Sequence, residues 1–276
     1  MTPAWHIIVR RNTTRFPPGS TMKPTERREQ IVRLVRESQR MSVEDLSSRL
    51  AASKETVRRD LQQLAEEGRI RKLHGSAVLP EANTENPFQM RMAEATPQKR
   101  AIAACAARLF APGDSLFIDT GTTTLAFAEE LANSSGLTVI TNSTTIAHVI
   151  ARGSGGNKVF LLGGEYREES SQNVGSFTLE QIARFRADHA VLTVGAISSA
   201  GVMNFAVEEA DVAHAMVRHA RSVTVLADSS KLGREALFPW SPLAEIDRLV
   251  TDRLPHDGEL KNALAVAGVE IVIADH

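Results

Sequence analysis

Two groups of residues in this sequence have types and spacings suited to binding chemistry. The first group runs from Ser53 to His74 and combines short polar side chains with basic ones, among them Arg58 and Arg59. Such side chains bind the phosphates and base edges of nucleic acids. The second group follows apolar runs in the C-terminal part, beginning with Asp119. Its glycines, hydroxyls, amides and carboxylates suit phosphates and sugar hydroxyls.

Three short helices and a hairpin are predicted to carry the first group. The helices begin at about Thr25 and after two predicted N-caps, Ser42 and Ser53. The third has apolar residues at helical spacing, which turns its polar side outward. Its inward residues are Val57, Leu61 and Leu64, it ends at Gly68, and a hairpin that turns at Gly75 spans residues 69–79.

This arrangement favours a winged helix-turn-helix, in which one helix enters the major groove and the hairpin follows the phosphate backbone. A plain three-helix bundle with a solvated basic face is the alternative. The predicted DNA-binding residues are Ser42, Ser53, Lys54, Glu55, Thr56, Arg58, Arg59, Gln62, Arg69, Arg71, Lys72 and His74.

The remainder of the chain predicts an α/β domain with a doubly wound, mostly parallel sheet. Apolar runs alternate with helical patterns, as in sheets that are covered on both faces. The runs are Leu116–Ile118, Leu137–Ile140, Val159–Leu162, Ala190–Val194, Val223–Leu226, Arg248–Val250 and Val269–Ile273. The predicted organisation is a disordered extension (1–22), the DNA-binding domain (23–80), a linker (81–96) and the α/β domain (97–276). Translation from Met1 or from Met22 stays open.

A ligand site is expected beyond the carboxyl ends of the strands, where open α/β sheets bind ligands. Polar clusters follow five of the predicted strands. Each cluster alone could be only a helix cap or a turn, but their shared position favours a pocket. The predicted effector-binding residues are Asp119, Gly121, Thr122, Thr123, Thr124, Thr141, Asn142, Ser143, Gly163, Gly164, Gly195, Glu208, Asp228 and Lys231.

Several segments, in this order and spacing, resemble the DeoR family of bacterial transcriptional repressors. They are Glu26–Ile31, Ser42–Leu46, Ser53–Leu61, His74–Ala77, Phe117–Thr123, Val139–Ser143, Leu162–Gly164 and Val225–Lys231. The resemblance covers roughly Thr25 to Asp252. It implies a repressor that binds double-stranded operator DNA, and a sensor domain similar in fold to ribose-5-phosphate isomerase. It also implies a phosphorylated sugar or polyol as the effector.

Composition and charge limit the other possibilities. Residues 23–80 hold 13 Lys and Arg and 9 Asp and Glu, whereas residues 81–276 hold 16 Lys and Arg and 24 Asp and Glu. This asymmetry suggests a basic N-terminal domain that binds a polyanion, followed by an acidic C-terminal domain. The single cysteine, Cys105, excludes cysteine-based zinc sites and iron–sulfur clusters and favours the cytoplasm. No apolar run approaches the roughly 20 residues of a membrane span. We expect no metal or cofactor. We expect the chain to form a homodimer or a homotetramer.

Two alternatives to a repressor are a sugar-phosphate isomerase and a nucleotide-binding protein. A sugar-phosphate isomerase would need a carboxylate base, which Asp119, Glu208 or Glu209 could supply. A nucleotide-binding protein is disfavoured, because the sequence has neither a P-loop lysine after its Gly-Thr run nor a G-x-G-x-x-G after a strand.

Overall fold

The computed structural model describes residues 23–38, 40–66, 69–73, 75–78 and 85–275. The chain divides into two compact units, residues 1–80 and residues 81–276. The predicted extension 1–22, the predicted helix stop Gly68, His74 and residues 79–84 lie outside the described residues. Among the helices of the described part, none is long and apolar enough to cross a lipid bilayer.

The first unit contains the three predicted helices and the predicted hairpin. The helices are α1 (Pro24–Ser38), α2 (Val43–Leu50) and α3 (Lys54–Glu66), and the strands are β1 (Arg40–Ser42), β2 (Arg71–Leu73) and β3 (Ser76–Val78). Strand β1 was not predicted; it pairs with β3 and makes the hairpin a three-stranded antiparallel sheet. The core that joins these elements includes Ile31, Val35, Leu46, Val57, Leu61, Leu64 and Ile70.

Short polar side chains fix the starts of α2 and α3. The Ser42 hydroxyl accepts the backbone N–H of Asp45 at 3.0 Å, and the Ser53 hydroxyl accepts that of Thr56 at 3.1 Å. Between the two helices, Ala51 adopts a left-handed backbone with φ of 49° and ends α2. Both predicted N-caps are confirmed, and the turn between the helices is therefore set by local sequence.

A buried ion pair that the sequence did not indicate ties α1 to α3. The Arg27 guanidinium donates to both carboxylate oxygens of Asp60, from Nε at 2.5 Å and from Nη2 at 3.2 Å. Only 8% of the Asp60 side chain is exposed. A two-pronged contact of this kind fixes orientation as well as distance, so it holds α3 at a set angle on the first helix.

The second unit is built on a seven-stranded sheet that is parallel throughout, which confirms the predicted fold class. Its strands, in spatial order, are β15 (Glu270–Ile273), β14 (Arg248–Thr251), β12 (Ala220–Leu226), β9 (Ala187–Thr193), β4 (Ser115–Ile118), β5 (Thr138–Thr141) and β6 (Lys158–Leu161). The helices are α4 (Phe88–Ala93), α5 (Thr96–Ala107), α6 (Thr122–Leu131), α7 (Thr144–Arg152), α8 (Ser176–Ile182), α9 (Val207–Arg218) and α10 (Gly258–Ala267).

Both faces of the sheet are covered, because its central strands carry apolar residues on both sides. On β4, Phe117 belongs to one hydrophobic core, whereas Leu116 and Ile118 belong to the other. Helices α8, α9 and α10 supply the first core, and α5, α6 and α7 supply the second. Alternate residues of a strand point to opposite faces, so an uninterrupted apolar strand requires helices on both sides.

Two smaller antiparallel sheets were not predicted from the sequence. One orders β10 (Ala196–Ser198), β11 (Gly201–Asn204) and β13 (Phe238–Ser241), and the other pairs β7 (Glu165–Arg167) with β8 (Gln172–Val174). All five strands have three or four residues, too few for a strand pattern to stand out. Trp240 lies in β13 and is buried.

Two boundaries also differ from prediction. The expected linker 81–96 is folded from Phe88 onward, because α4 places the Phe88 ring in the core beneath α5 and α6. The start of α5 also differs: Ala95 is its cap, with left-handed φ of 49°, and Thr96 is the first helical residue rather than the end of a linker. The Thr96 hydroxyl donates to the carbonyl of Met92, so α4 and α5 are joined by a tight turn.

Candidate functional site

The exposed side of α3 carries the basic residues that the sequence singled out. Arg58 and Arg59 have 62% and 81% of their side chains exposed, whereas Val57 and Leu61 are buried. Arg59 contacts Glu55 at 3.4 Å on the same face. Exposed ion pairs of this kind contribute little to stability. Arg59 can therefore give up its contact with Glu55 and bind a polyanion instead at little cost to the fold.

The other predicted DNA-binding residues of the first unit surround this face or cap its helices. Lys54 contacts Glu44 at 2.8 Å, and Lys72 of the hairpin donates to the amide oxygen of Gln62 at 2.7 Å. Arg69 contacts Glu29 at 2.8 Å, and its hydrogen bond lowers the pKa of that carboxyl. The remaining ones are Ser42 and Ser53, whose hydroxyls cap helices, Thr56 beside Ser53, and Arg71 in β2.

A polar cavity lies in the second unit at the carboxyl ends of three adjacent strands, β5, β4 and β9. The end of β4 contributes Asp119 and Thr120, and the end of β5 contributes Asn142. The end of β9 contributes Thr193, Val194 and Gly195. The lining is completed by Glu85, Arg91, Gln172, Asn204, Glu209 and Val212. Parallel strands place their carboxyl ends at one edge of a sheet, which is why residues far apart in sequence meet here.

Asp119 is the buried centre of this cavity. Both of its carboxylate oxygens accept the backbone N–H of Thr193, at 3.1 and 3.0 Å, and the residue is 5% exposed. Burial raises the pKa of Asp119 well above its ordinary value; the Thr193 N–H opposes the shift and the nearby Glu209 adds to it. Asp119 is therefore fixed in place, and its burial disfavours the charged form.

A second carboxyl, that of the partly buried Glu209, lies across the cavity on α9. Gln172 donates to it at 3.2 Å, and Asn142 holds Gln172 in turn through a contact of 3.4 Å. Burial raises the pKa of Glu209, against the attraction of Arg91. Besides Glu85, the cavity thus presents the carboxyls of Asp119 and Glu209 and several amides at fixed positions, a set that can hydrogen-bond several hydroxyl groups of one ligand.

Basic groups gather at the same end of the sheet. Arg91 contacts Glu85 at 3.1 Å, and the ammonium of Lys231 binds the other oxygen of that carboxylate. Lys99, 6% exposed, donates to the backbone carbonyl of Arg91 at 2.5 Å. Its burial lowers the pKa of Lys99 to about 8, although the Asp228 carboxylate opposes the shift.

The structure brings only part of the predicted effector site to the cavity lining. Of that set, Asp119, Asn142 and Gly195 line it, and Lys231 reaches it through Glu85. Glu208 instead contacts Arg167 at 3.3 Å, and its neighbour Glu209 takes the position in the cavity. Among the described residues, those outside the lining are Gly121, Thr122, Thr123, Thr124, Thr141, Ser143, Gly163, Gly164, Glu208 and Asp228.

Most of these outlying residues have structural roles that explain their types. Thr124 donates to the carbonyls of Asp119 and Gly121, and Thr141 accepts the N–H of Ser143. Ser143 caps α7, and the Asp228 carboxylate accepts the N–H of Ser230. The remaining ones are buried or tightly packed, namely Thr122 and Thr123 at 7% and 4% exposure and Gly121, whose added Cβ would lie 2.1 Å from a methyl group of Thr193.

Gly164 has a steric reason to be glycine, and this predicts a clear difference from its neighbour. A Cβ at Gly164 would lie 2.1 Å from the Thr178 hydroxyl and 2.6 Å from the carbonyl oxygen of Val174. Gly164→Ala should therefore lower the free energy of unfolding by about 2–3 kcal/mol, as overpacking does. At Gly163 the nearest atom is 3.5 Å away, so Gly163→Ala is the matched control and should be close to neutral. Urea denaturation measures both, and equal stabilities would contradict the steric explanation.

The lining residues that sequence reasoning missed come from segments without a recognised pattern. Glu85 and Arg91 lie in the predicted linker, and Gln172 and Asn204 lie in the short antiparallel strands β8 and β11. Thr193 lies two residues before the predicted site residue Gly195, and its position at a strand end was the one signal that pointed to it.

The first unit and the cavity together define a class: a winged helix-turn-helix DNA-binding unit joined to an α/β unit with a polar cavity at its strand ends, as in ligand-responsive transcriptional regulators. Residues 27–83 match the family model of the DeoR-like helix-turn-helix domain, and residues 94–253 match that of the DeoR C terminal sensor domain. The chain belongs to the DeoR family of transcriptional regulators.

Relatives of known name agree with that membership. The chain is 35% identical to the HTH-type transcriptional repressor CsqR of Escherichia coli over 90% of this chain and 94% of CsqR. It is 34% identical to the glycerol-3-phosphate regulon repressor of E. coli over 85% of this chain and 93% of that protein. These relatives are named repressors, not enzymes, so this chain is a DNA-binding transcriptional regulator and the isomerase alternative is not favoured.

Among solved structures, a ribose 5-phosphate isomerase A from Methanocaldococcus jannaschii is similar over 50% of this chain and 54% of the isomerase. The TM-score is 0.37 and the identity 17%. Nothing about activity follows from a likeness of this size.

Proposed function

We propose that the chain represses a carbohydrate or polyol catabolic operon and that a phosphorylated sugar or polyol, bound in the second unit, controls it. The observation that carries the effector class is the cavity between Asp119, Asn142 and Glu209, lined mainly by hydrogen-bonding groups. Fixed carboxyls and amides suit a polyhydroxyl compound, and Arg91 beside them suits a phosphate group. The printed name of the glycerol-3-phosphate regulon repressor supports the same class.

The DNA partner is a duplex operator read by the exposed face of α3. Arg58, Arg59 and Gln62 are exposed on it and can reach base edges, while Arg69, Arg71, Lys72 and His74 of the wing hold phosphates. A homodimer or homotetramer would join several such readers on repeated half-sites, which multiplies a weak single-unit affinity through effective concentration. The site of action is the cytoplasm, where the operator lies.

The effector acts by changing the balance between two arrangements of the oligomer. It can change operator affinity only as far as its own affinities for the two arrangements differ. Reciprocity requires that operator DNA change effector affinity by the same factor.

The test measures binding of the full chain to a labelled fragment of its own promoter region at fixed salt. A panel of phosphorylated sugars and polyols, each paired with its unphosphorylated form, is then added. We expect at least one phosphorylated compound to change the operator Kd about 5- to 150-fold, the usual range of coupling, and its unphosphorylated partner to have little effect. No binding to the fragment at low salt, or turnover of a sugar phosphate by the purified protein, would refute the proposal.

A further inference from the structure

Two basic side chains of the second unit are bridged by one acidic side chain that is itself buried. One carboxylate oxygen of Glu85 binds Arg91 at 3.1 Å, and the other binds Lys231. The three side chains are 13%, 14% and 15% exposed, for Glu85, Arg91 and Lys231 in that order. Glu85 and Arg91 also line the polar cavity, so this ion triad forms part of the cavity wall.

Arg91 is held in place independently of Glu85. It lies in α4, where its Nε donates to the carbonyl of Asn86 at 3.0 Å and its guanidinium lies 5.5 Å from the centre of the Phe88 ring. The Phe88 ring is anchored in the core. The position of this cation is therefore fixed by the fold.

Lys231 is also anchored by contacts that do not involve Glu85. It ends the short 3-10 turn Ser229–Lys231. Ser229 at the start of that turn donates its N–H and its hydroxyl to the Asp252 carboxylate at 2.6 and 2.9 Å. Glu85, by contrast, lies in residues 85–87, which are neither helix nor strand. Of the three members of the triad, Glu85 is the one whose displacement disturbs the least structure.

The charges in the cavity explain why this displacement matters. Glu85, Asp119 and Glu209 place three carboxyls in the lining against the single cation Arg91, an unfavourable setting for an anion. Removal of Glu85 would expose both Arg91 and Lys231, with Lys99 close by. A phosphate group, like a carboxylate, can offer each cation an oxygen of its own, and its charge of about −1.5 to −2 at pH 7 exceeds that of a carboxylate.

We propose that Glu85 is an internal ligand of the anion site formed by Arg91 and Lys231, and that the phosphate group of the effector binds there by displacing it. This inference rests on the function proposed above and specifies how that site recognises phosphate. Because Glu85 is tethered, it competes at a high effective concentration and sets the phosphate level at which exchange occurs.

The exchange also gives the cavity a link toward the DNA-binding unit. Glu85 lies five residues after residue 80, where the first unit ends. When phosphate takes the two cations, the segment that begins at Glu85 loses its anchor on α4 and on the turn at Lys231. Effector binding is thereby coupled to the chain segment that leads to the winged helix-turn-helix.

The test compares inorganic phosphate binding by the full-length wild type and by Glu85→Gln, measured by isothermal titration calorimetry at constant ionic strength. The amide keeps the size of the side chain but removes the charge that competes with phosphate. We expect Glu85→Gln to bind phosphate at least about tenfold more tightly than the wild type. Glu130→Gln is the charge-matched control, because Glu130 is exposed near the far end of α6, and it should bind as the wild type does. Lys231→Gln should lose phosphate binding.

Equal or weaker phosphate binding by Glu85→Gln than by the wild type would overturn the proposal, as would a tenfold gain in Glu130→Gln. Should Glu85→Gln fail to fold, Glu85→Asp gives the same test, since its shorter side chain cannot reach both cations and a gain in affinity is again expected. Failure of the sensor function has a different signature: no sugar phosphate then changes operator affinity in the wild type, whatever the phosphate titrations give.

Discussion

Replacing Arg58 and Arg59 together with alanine should weaken operator binding roughly 30-fold to 25,000-fold. Each arginine that contacts a base contributes about 1–3 kcal/mol to specific binding, and these two are the most exposed cations described on α3. The first unit should remain folded, because neither side chain belongs to its core and their contacts with Glu55 are exposed ion pairs. Fluorescence anisotropy with a labelled operator at fixed salt measures the effect.

A charge-matched control separates this effect from a general loss of positive charge. Arg184 and Arg186 are exposed in the second unit, and Arg184→Ala/Arg186→Ala removes the same two charges. That variant should bind the operator with nearly wild-type affinity. Wild-type affinity in the Arg58→Ala/Arg59→Ala variant would contradict the assignment of α3 as the recognition helix.

The salt dependence of the same variant tells which role the arginines play. If they hold phosphates, the slope of log K against log salt should fall by about one for each residue, and binding to unrelated DNA should weaken equally. If they read bases, binding to unrelated DNA should change little while discrimination between operator and mutated operator falls.

The elements of the DNA-binding unit could be predicted from sequence because its signals are local. The caps at Ser42 and Ser53 act within three residues, and Val57, Leu61 and Leu64 define the buried face of a single helix. The Arg27–Asp60 pair was missed for the opposite reason: its members are 33 residues apart, and nothing at either position indicates the other.

The cavity could be predicted only in part, because the sequence does not show the spatial order of the strands in the sheet. The strand-end rule indicates one edge of the sheet but not which strands are neighbours. The structure places β4 between β5 and β9, and these three supply the cavity. Gly163 follows the edge strand β6, two strands from β4 and therefore roughly 10 Å away at the usual spacing.

The second large effect is expected at Asp119, where Asp119→Asn should abolish most of the effector response while leaving operator binding intact. One amide oxygen can still accept the Thr193 N–H that both carboxylate oxygens now accept. The amide that replaces the carboxyl cannot ionise on ligand binding to accept hydrogen bonds from ligand hydroxyls, however, and hydrogen bonds to charged groups contribute about 1.5–3 kcal/mol. We therefore expect the effector concentration for half-maximal response to rise roughly 10- to 150-fold in the operator-binding assay.

The same variant should be more stable than the wild type near neutral pH, which distinguishes a lost contact from a damaged fold. Burial raises the pKa of Asp119 in the folded state, so between the ordinary aspartate pKa of about 3.9 and that raised pKa the folded state retains a proton that the unfolded state has released. The contribution of Asp119 to the free energy of unfolding of the wild type then falls as pH rises through this window. Asparagine does not titrate, so the stability advantage of Asp119→Asn over the wild type should grow from pH 4 toward neutral pH.

Urea denaturation at a series of pH values measures this stability advantage. Asp211→Asn is the control, because Asp211 is exposed on α9. Its replacement should leave both the stability and the effector response nearly unchanged. An effector response equal to that of the wild type would place ligand recognition away from Asp119. A stability difference that shrinks with rising pH would mean that Asp119 is ionised in the folded protein and held by its Thr193 hydrogen bonds. The effector response reports whether the Asp119 carboxyl contacts the ligand, and the free energy of unfolding reports what its burial costs. A loss of effector response together with a gain in stability would therefore mean that Asp119 serves ligand binding at a cost to folding.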